Sequence, residues 1–443
     1  MPCSVKPLLD WTLRSWIHRL SARDIRTTTA ALAFASTATF TSSSTVASPV
    51  TPAPPNTTHT PVRPQTVNAM AVETTPLMAH AEGDIPRAPW ATALASPRDP
   101  SRRLPQAIAH RGAKVSWPEN TMAAFRSAVE VGAHAIETDV HLAADGVVIL
   151  SHDPSLKRCY GVDKKVAECN WEYLKTLRTV REPKEPLPRF KDLLEWLASP
   201  GLEKIWIVLD IKMDDDPEEL VGAIARTLEE APGPVPWDQR IVLGCWNASF
   251  LKASRRLLPT HPLAHISTSL LYSHYFLGVP NLGFNLHHKA LLGFPGSLFL
   301  REIQRSDRLL MAWTVNEPRW MEWCIRKNLL RPRKDRPKTL EDEGEDEGED
   351  ESESDAIAPA LIDGVITDDP KLYLDVCERF EDELDGKRVR PPRGLIGWVK
   401  DGLTATWTSV RFQVLVMGFY LVRRAQGRFD FLDDRKSLEA RAS

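Results

Sequence analysis

From Leu104 onward, short apolar runs alternate with stretches in which apolar residues recur at helical spacing. The runs fall at residues 107–109, 135–140, 147–150, 205–211, 241–245, 263–266, 282–286, 309–315 and 364–366. Between them, Met122, Phe125, Ala128 and Val129 share one helical face, and residues 217–230 and 319–330 carry the same period. Strand–helix alternation over this length predicts an α/β fold of the TIM-type (β/α)8 barrel. Nine runs exceed the eight that a barrel takes. The link at 141–146 is too short for a crossover helix, so one run is expected outside the barrel or in a local hairpin.

The flanks read differently. Residues 1–103 are low-complexity, and 27–75, rich in Thr, Ser, Ala and Pro, predict an unstructured region. At its start Trp11, Leu13, Trp16, Ile17 and Leu20 alternate with Arg14, His18, Arg19 and Arg23. That basic amphipathic opening resembles a mitochondrial presequence, although Asp10 and Asp24 run against it; an interfacial helix or a plain tail are the alternatives. Inside the alternating region a basic patch at 331–338 leads into an acidic run ending at 355, which predicts a solvated loop insertion. Beyond 385, residues 403–422 are nearly all apolar or small, with Arg411 the only charge, and Arg423 and Arg424 follow. A central arginine costs roughly 2.5–3.5 kcal/mol in a spanning helix. The sequence therefore predicts an apolar helical tail lying in an interface, with Trp398 and Trp407 near headgroups and Arg411 snorkelling. A helix packed on the barrel is the other reading. The expected organisation is a tail to 103, a barrel over 104–379 holding the 331–355 insertion, and a membrane-associating module over 380–443.

Composition narrows the partners. The formal net charge of −3 excludes a general nucleic-acid binder. Six cysteines without a C-x-x-C pair predict neither a disulfide framework nor structural zinc, which suits a reducing, intracellular compartment. Nothing in the chain calls for an obligate protein partner.

Candidate chemistry gathers at the ends of the first runs. His110-Arg111-Gly112 closes one, and Ser151-His152-Asp153 closes another. Glu137 and Asp139 stand two residues apart, so they share a strand face. Paired carboxylates on an apolar strand repel and lose hydration unless a cation sits between them. Two histidines beside such a pair suggest metal-assisted acid–base chemistry.

The segments H-R-G (110–112), P-E-N-T (118–121), I-E-T-D-V (136–140), D-G (145–146), H-D (152–153), L-D-I-K (209–212), A-W-T-V-N (312–316) and G-V-I-T-D-D-P (364–370) resemble, in order and spacing, the glycerophosphodiester phosphodiesterases. The fungal phosphatidylglycerol phospholipase C type is the nearest subgroup, on the aspartate of L-D-I-K and the apolar tail. The resemblance implies His110 and His152 as the acid–base pair. Glu137, Asp139 and Asp210, hard oxygen donors, would hold one divalent cation, Mg2+ or Ca2+. Arg111 and Lys212 would grip phosphate oxygens. Glu119 and Asn120 are read as substrate contacts or as helix N-caps, and Trp313 as a wall of the glycerol pocket or barrel filling. His134, His141, His265, His287 and His288 are read as structural, with His288 closest to a role. The implied reaction converts phosphatidylglycerol at a membrane surface into diacylglycerol and glycerol phosphate, through attack by the headgroup 2-hydroxyl. Mitochondrial, lipid-droplet and endomembrane locations all fit. The alternatives are a soluble phosphodiesterase acting on deacylated substrates and an inactive lipid-binding scaffold.

Overall fold

The computed structural model describes residues 84–329, 360–389 and 395–425. The amphipathic opening at 11–23, the 27–75 stretch and the insertion at 331–355 lie outside the described residues.

All nine apolar runs are strands: β1 (Gln106–His110), β2 (Ala135–Leu142), β3 (Val148–Leu150), β4 (Trp206–Ile211), β5 (Ile241–Cys245), β6 (Leu263–Ser267), β7 (Gly283–His287), β8 (Leu310–Trp313) and β9 (Gly364–Thr367). Eight of them, all but β3, form a parallel sheet that closes where β1 pairs with both β9 and β2. β3 runs antiparallel to β2 (His141 opposite Ile149), joined by a turn in which Gly146 has φ +81°. The excess run is thus a hairpin at the barrel rim, since a five-residue link is too short for a crossover helix.

The main helices are α1 (Met122–Glu130), α2 (Phe190–Leu197), α3 (Pro217–Glu230), α4 (Ala248–Leu257), α5 (Gly293–Arg305), α6 (Pro318–Leu329), α7 (Pro370–Leu384) and α8 (Leu395–Ala425). Several start just after a strand on a capping side chain: Thr121 accepts from Ala124 N, Asp216 from Glu218 N and Glu219 N, and Asn247 from Phe250 N. The period of two along each strand sorts the core. Ile136, Ile207, Leu209, Leu243, Phe284 and Val365 are buried outward against the helices. Ile108, Val208, Val242, Ala264, Met311 and Ile366 fill the barrel interior. One more inward step along β1, β4, β8 and β9 reaches His110, Asp210, Trp313 and Asp368, so the apolar interior gives way to polar groups at the C-terminal mouth.

The unstructured region predicted up to 103 does not reach its end. Ile85, Ala88, Ala91 and Ala93 are buried, and Trp90 meets Trp206 edge-on at 5.2 Å. Gln106 Nε2 donates to the carbonyls of Trp90 and Thr92, and Ala93 N to Asp363. The segment plugs the N-terminal end of the barrel. Its alanines and lone tryptophan carry too little periodicity for the sequence to reveal it.

Residues 151–188 form a small lobe with its own core of Leu156, Tyr160, Val166, Cys169, Leu174 and Leu187. Arg181 ties it to the loop after β1 through the carbonyls of Lys114, Val115 and Trp117. α8 rests on the loops after β6 and β7. Gln413 donates to Thr268 O and accepts from Leu270 N, and Ser409 donates to Ala290 O. Gly293, at φ +64°, lets the helix approach: a Cβ there would stand 2.3 Å from Thr406 Cα. Among the described residues no helix is long and apolar enough to cross a membrane.

Candidate active site

The register of β1, β2 and β4 builds the centre. His110 pairs with Glu137 across β1–β2, and Asp139 with Asp210 across β2–β4. Oxygen atoms of Glu137, Asp139 and Asp210 all lie within 4.8 Å of one another, and the three side chains are buried. Burial and the charges of Asp139 and Asp210 push the Glu137 carboxyl well above its ordinary range. Burial also raises Asp210, with Asp139 adding to it. Burial works against Asp139 as well, yet Lys212 and Arg111 hold its carboxyl well below its ordinary value.

The Lys212 ammonium sits 2.6 Å from both Asp139 Oδ1 and Asp210 Oδ2, the place where a cation answers the two charges. Among the described residues Glu137 has no such cationic partner at hydrogen-bond distance; its side chain accepts from Arg111 N at 3.0 Å. An all-oxygen, buried triad whose third carboxyl is driven toward neutrality fits a hard divalent cation, which would supply the missing charge.

Both histidines are paired through Nδ1. His110 Nδ1 meets Asp368 Oδ1 at 2.6 Å, and Asp368 is in turn held by Asn316 Nδ2 and Lys114 Nζ. His152 Nδ1 meets Asp153 Oδ1 at 2.8 Å, with Arg158 on the far oxygen. Burial, then Lys114 and Arg111, lower His110 to about 4 against the pull of Asp368. Burial, then Arg111 and Lys212, lower His152 to about 3. Nε2 of His110 faces the carboxylate cluster, 3.9 Å from Glu137.

Arg111 spans the cluster, 3.2 Å from Asp139 and 2.8 Å from Glu119. Its φ of +59° and the +80° of Gly112 make the sharp turn, and a Cβ on Gly112 would strike the Ala124 backbone at 2.7 Å. Glu119 is clasped by Arg111 and by two nitrogens of Arg158. Asn120, also at positive φ, donates to Asp139 Oδ2 and accepts from Thr138. Neither caps α1; Thr121 does. Trp313, half-buried, donates to Asn285 O and meets Trp246 edge-on at 5.6 Å.

All ten candidate residues therefore converge on one mouth. Asp368, Asp153 and Asn316, each inside one of the motifs above, join the site beyond the residues expected there, as does Trp246, whose Nε1 donates to Asp210 at 2.7 Å. Among the other histidines, His134 accepts from Ala107 N, His141 pairs with Asp215, and His265 stacks on Phe276 at 4.1 Å. His287, not His288, stands at the mouth, 5.1 Å from Trp313; His288 is buried behind it against the Trp313 carbonyl.

A (β/α)8 barrel carrying paired imidazoles and an acidic triad at its C-terminal mouth defines a metal-dependent phosphodiesterase site. Residues 110–372 match the Glycerophosphoryl diester phosphodiesterase family, and the protein belongs to that family and is a phosphoric diester hydrolase. The family uses a divalent metal, which the triad can hold. A glycerophosphodiester phosphodiesterase of Caldanaerobacter subterraneus is 25% identical over 241 residues, covering 53% of this chain and 95% of that one. A rat lysophospholipase D is 42% identical over 79 residues, 18% of this chain and 25% of its own length. An Oleispira antarctica phosphodiesterase, solved with the product sn-glycerol-3-phosphate, is 18% identical, with a TM-score of 0.47, over 62% of this chain and 97% of that one.

Proposed function

We propose that the enzyme cleaves a glycerophospholipid in phospholipase C fashion, with phosphatidylglycerol giving diacylglycerol and glycerol phosphate. The supporting observation is where the exposed apolar residues lie. Val115 and Met213 come from loops that follow barrel strands, Leu271 from a short helix after β6, and Phe294 and Leu298 from the first turns of α5 after β7, all beyond the strand ends that hold the site. α8 adds Val399, Leu403, Trp407, Val410, Val414 and Leu421 along one stripe, with Leu403 68% and Trp407 63% exposed. A stripe at three- and four-residue spacing beside the mouth suits an enzyme working at a lipid surface inside the cell.

Arg111 and Lys212 hold the phosphate oxygens, and a divalent cation on Glu137, Asp139 and Asp210 would add charge neutralisation there. With Nδ1 of each imidazole tied to a carboxylate, Nε2 is left for the substrate. One histidine takes the proton of the headgroup 2-hydroxyl as it attacks phosphorus, and the other returns a proton to the departing diacylglycerol oxygen. Water then opens the cyclic phosphate with the roles exchanged. Burial keeps both imidazoles neutral in the free enzyme, and the bound phosphate charge lifts the one that must donate.

The second reading is a deacylated glycerophosphodiester as substrate, favoured by the name of the Caldanaerobacter relative. The deciding experiment offers purified enzyme labelled phosphatidylglycerol vesicles, other headgroups and glycerophosphoglycerol, with and without Mg2+ or Ca2+. Diacylglycerol from phosphatidylglycerol alone supports the proposal; release from glycerophosphoglycerol with intact vesicles overturns it in favour of the second reading.

A further inference from the structure

An aromatic row links the C-terminal helix to the acidic cluster. Phe412 of α8 stacks on His287 at 4.4 Å and 23°. His287 meets Trp313 edge-on at 5.1 Å, and Trp313 meets Trp246 edge-on at 5.6 Å. Trp246 donates Nε1–H to Asp210 Oδ1, and the Lys212 ammonium lies 5.8 Å from its ring. All four residues are half-buried. Three come from the ends of barrel strands; the fourth lies 99 residues beyond the last of them. α8 is fixed there by Gln413, Ser409 and the close approach of Thr406 to Gly293, so Phe412 sits in a defined place.

A wall of this kind has chemistry at both ends. Its inner end is the phosphate-gripping cluster. Its outer end is the underside of a helix whose other face exposes Leu403, Trp407 and Val414. Half-buried rings offer stacking and apolar contact to a ligand beside them. We infer that Phe412 and His287 complete the substrate site as the outer wall for the acylated glycerol, making α8 part of the specificity pocket. This rests on the lipid reading above. Phe412 is here a specificity-determining side chain, distinct from the stripe that would face a lipid surface.

The test uses the full chain and dihexanoyl phosphatidylglycerol kept monomeric, so that no surface is present, with glycerophosphoglycerol as the deacylated comparison. Phe412→Ala is expected to raise KM for the short-chain lipid about 3- to 10-fold, the worth of one aromatic contact. The ratio of kcat/KM between lipid and deacylated substrate should fall by the same factor, with kcat on the lipid moving less than KM. Phe412→Leu, which keeps an apolar seat for the helix, should fall between, and Phe412→Tyr should restore the ratio. An unchanged ratio in Phe412→Ala, whether both substrates slow together or neither does, overturns the inference alone. A wild type that hydrolyses only glycerophosphoglycerol overturns the lipid reading and this one together.

Discussion

At the scale of single residues, the site is organised by uncompensated charge. Glu137 lies beside two other carboxylates with only partial relief from Arg111 and Lys212, so its ionised form is costly. A divalent ion bound to the folded state alone stabilises by RT ln(1 + [L]/Kd), about 2.7 kcal/mol at a hundred times Kd. Adding Mg2+ or Ca2+ should therefore raise the melting temperature of the wild type. Glu137→Gln should lose most of that shift, as read by calorimetry with and without chelator. The imidazole that meets Asp368 is the second residue-scale lever. His110→Ala should slow turnover by ~10²–10⁴-fold with the melting temperature little changed, as expected of an acid–base group. A loss of stability with modest loss of turnover would instead make His110 a packing residue. Glu137 and Asp139 were legible as a pair because two-residue spacing in one strand puts them on one face, whereas Asp210 and both histidines were legible only through the order of the motifs. Asp368 and Asp153 were harder: what marks them is the Nδ1 atom they meet, and for Asp368 that atom lies 258 residues away.

At the scale of elements, the core around β6 predicts an acid sensitivity. His265 in β6 is fully buried against Tyr272, Phe276 and Phe284, and burial lowers it from 6.5 to about 3. The unfolded chain takes up that proton below pH 6.5 while the folded chain refuses it. The stability is therefore complete above pH 6.5 and is lost as pH falls from there toward about 3. One such proton changes stability by about 1.4 kcal/mol per pH unit. His265→Phe, placed among aromatic rings, should flatten the profile: whatever it costs at pH 7.5 should shrink by roughly that amount for each unit below 6.5, in urea unfolding at several pH values. A wild-type and variant pair with parallel profiles would show that His265 is not the titrating group. The strand–helix order was readable from periodicity alone, and even the surplus strand was, since a short link forbids a crossover. The order of residues 84–103 was not, because its alanines become informative only against the barrel end they plug.

At the scale of the whole molecule, an apolar stripe, a mouth and an aromatic row lie on one side. If that side meets lipid, Leu403→Glu with Trp407→Glu should reduce vesicle flotation roughly tenfold or more, each side chain contributing about 1.5–3 kcal/mol when buried. Hydrolysis of vesicle lipid should fall with it, and hydrolysis of glycerophosphoglycerol should fall less. Equal flotation of variant and wild type would leave the stripe without a lipid partner. The helix itself was legible from its apolar run, but the sequence left open whether it spans, lies on an interface or packs on the barrel. The fold shows one face packed on the loops after β6 and β7 and the opposite face exposed.

Periodicity and motif order, which act over a few residues, determined the barrel, its hairpin and the residues that line its mouth. Local sequence carries that much because side-chain direction in a strand is fixed by the backbone, two residues at a time. What tertiary structure alone decided was which distant groups meet: Asp368 on His110, Lys212 between two carboxylates, and Phe412 on His287. Those contacts depend on barrel closure and on where a late helix comes to rest, and neither is encoded at any single position.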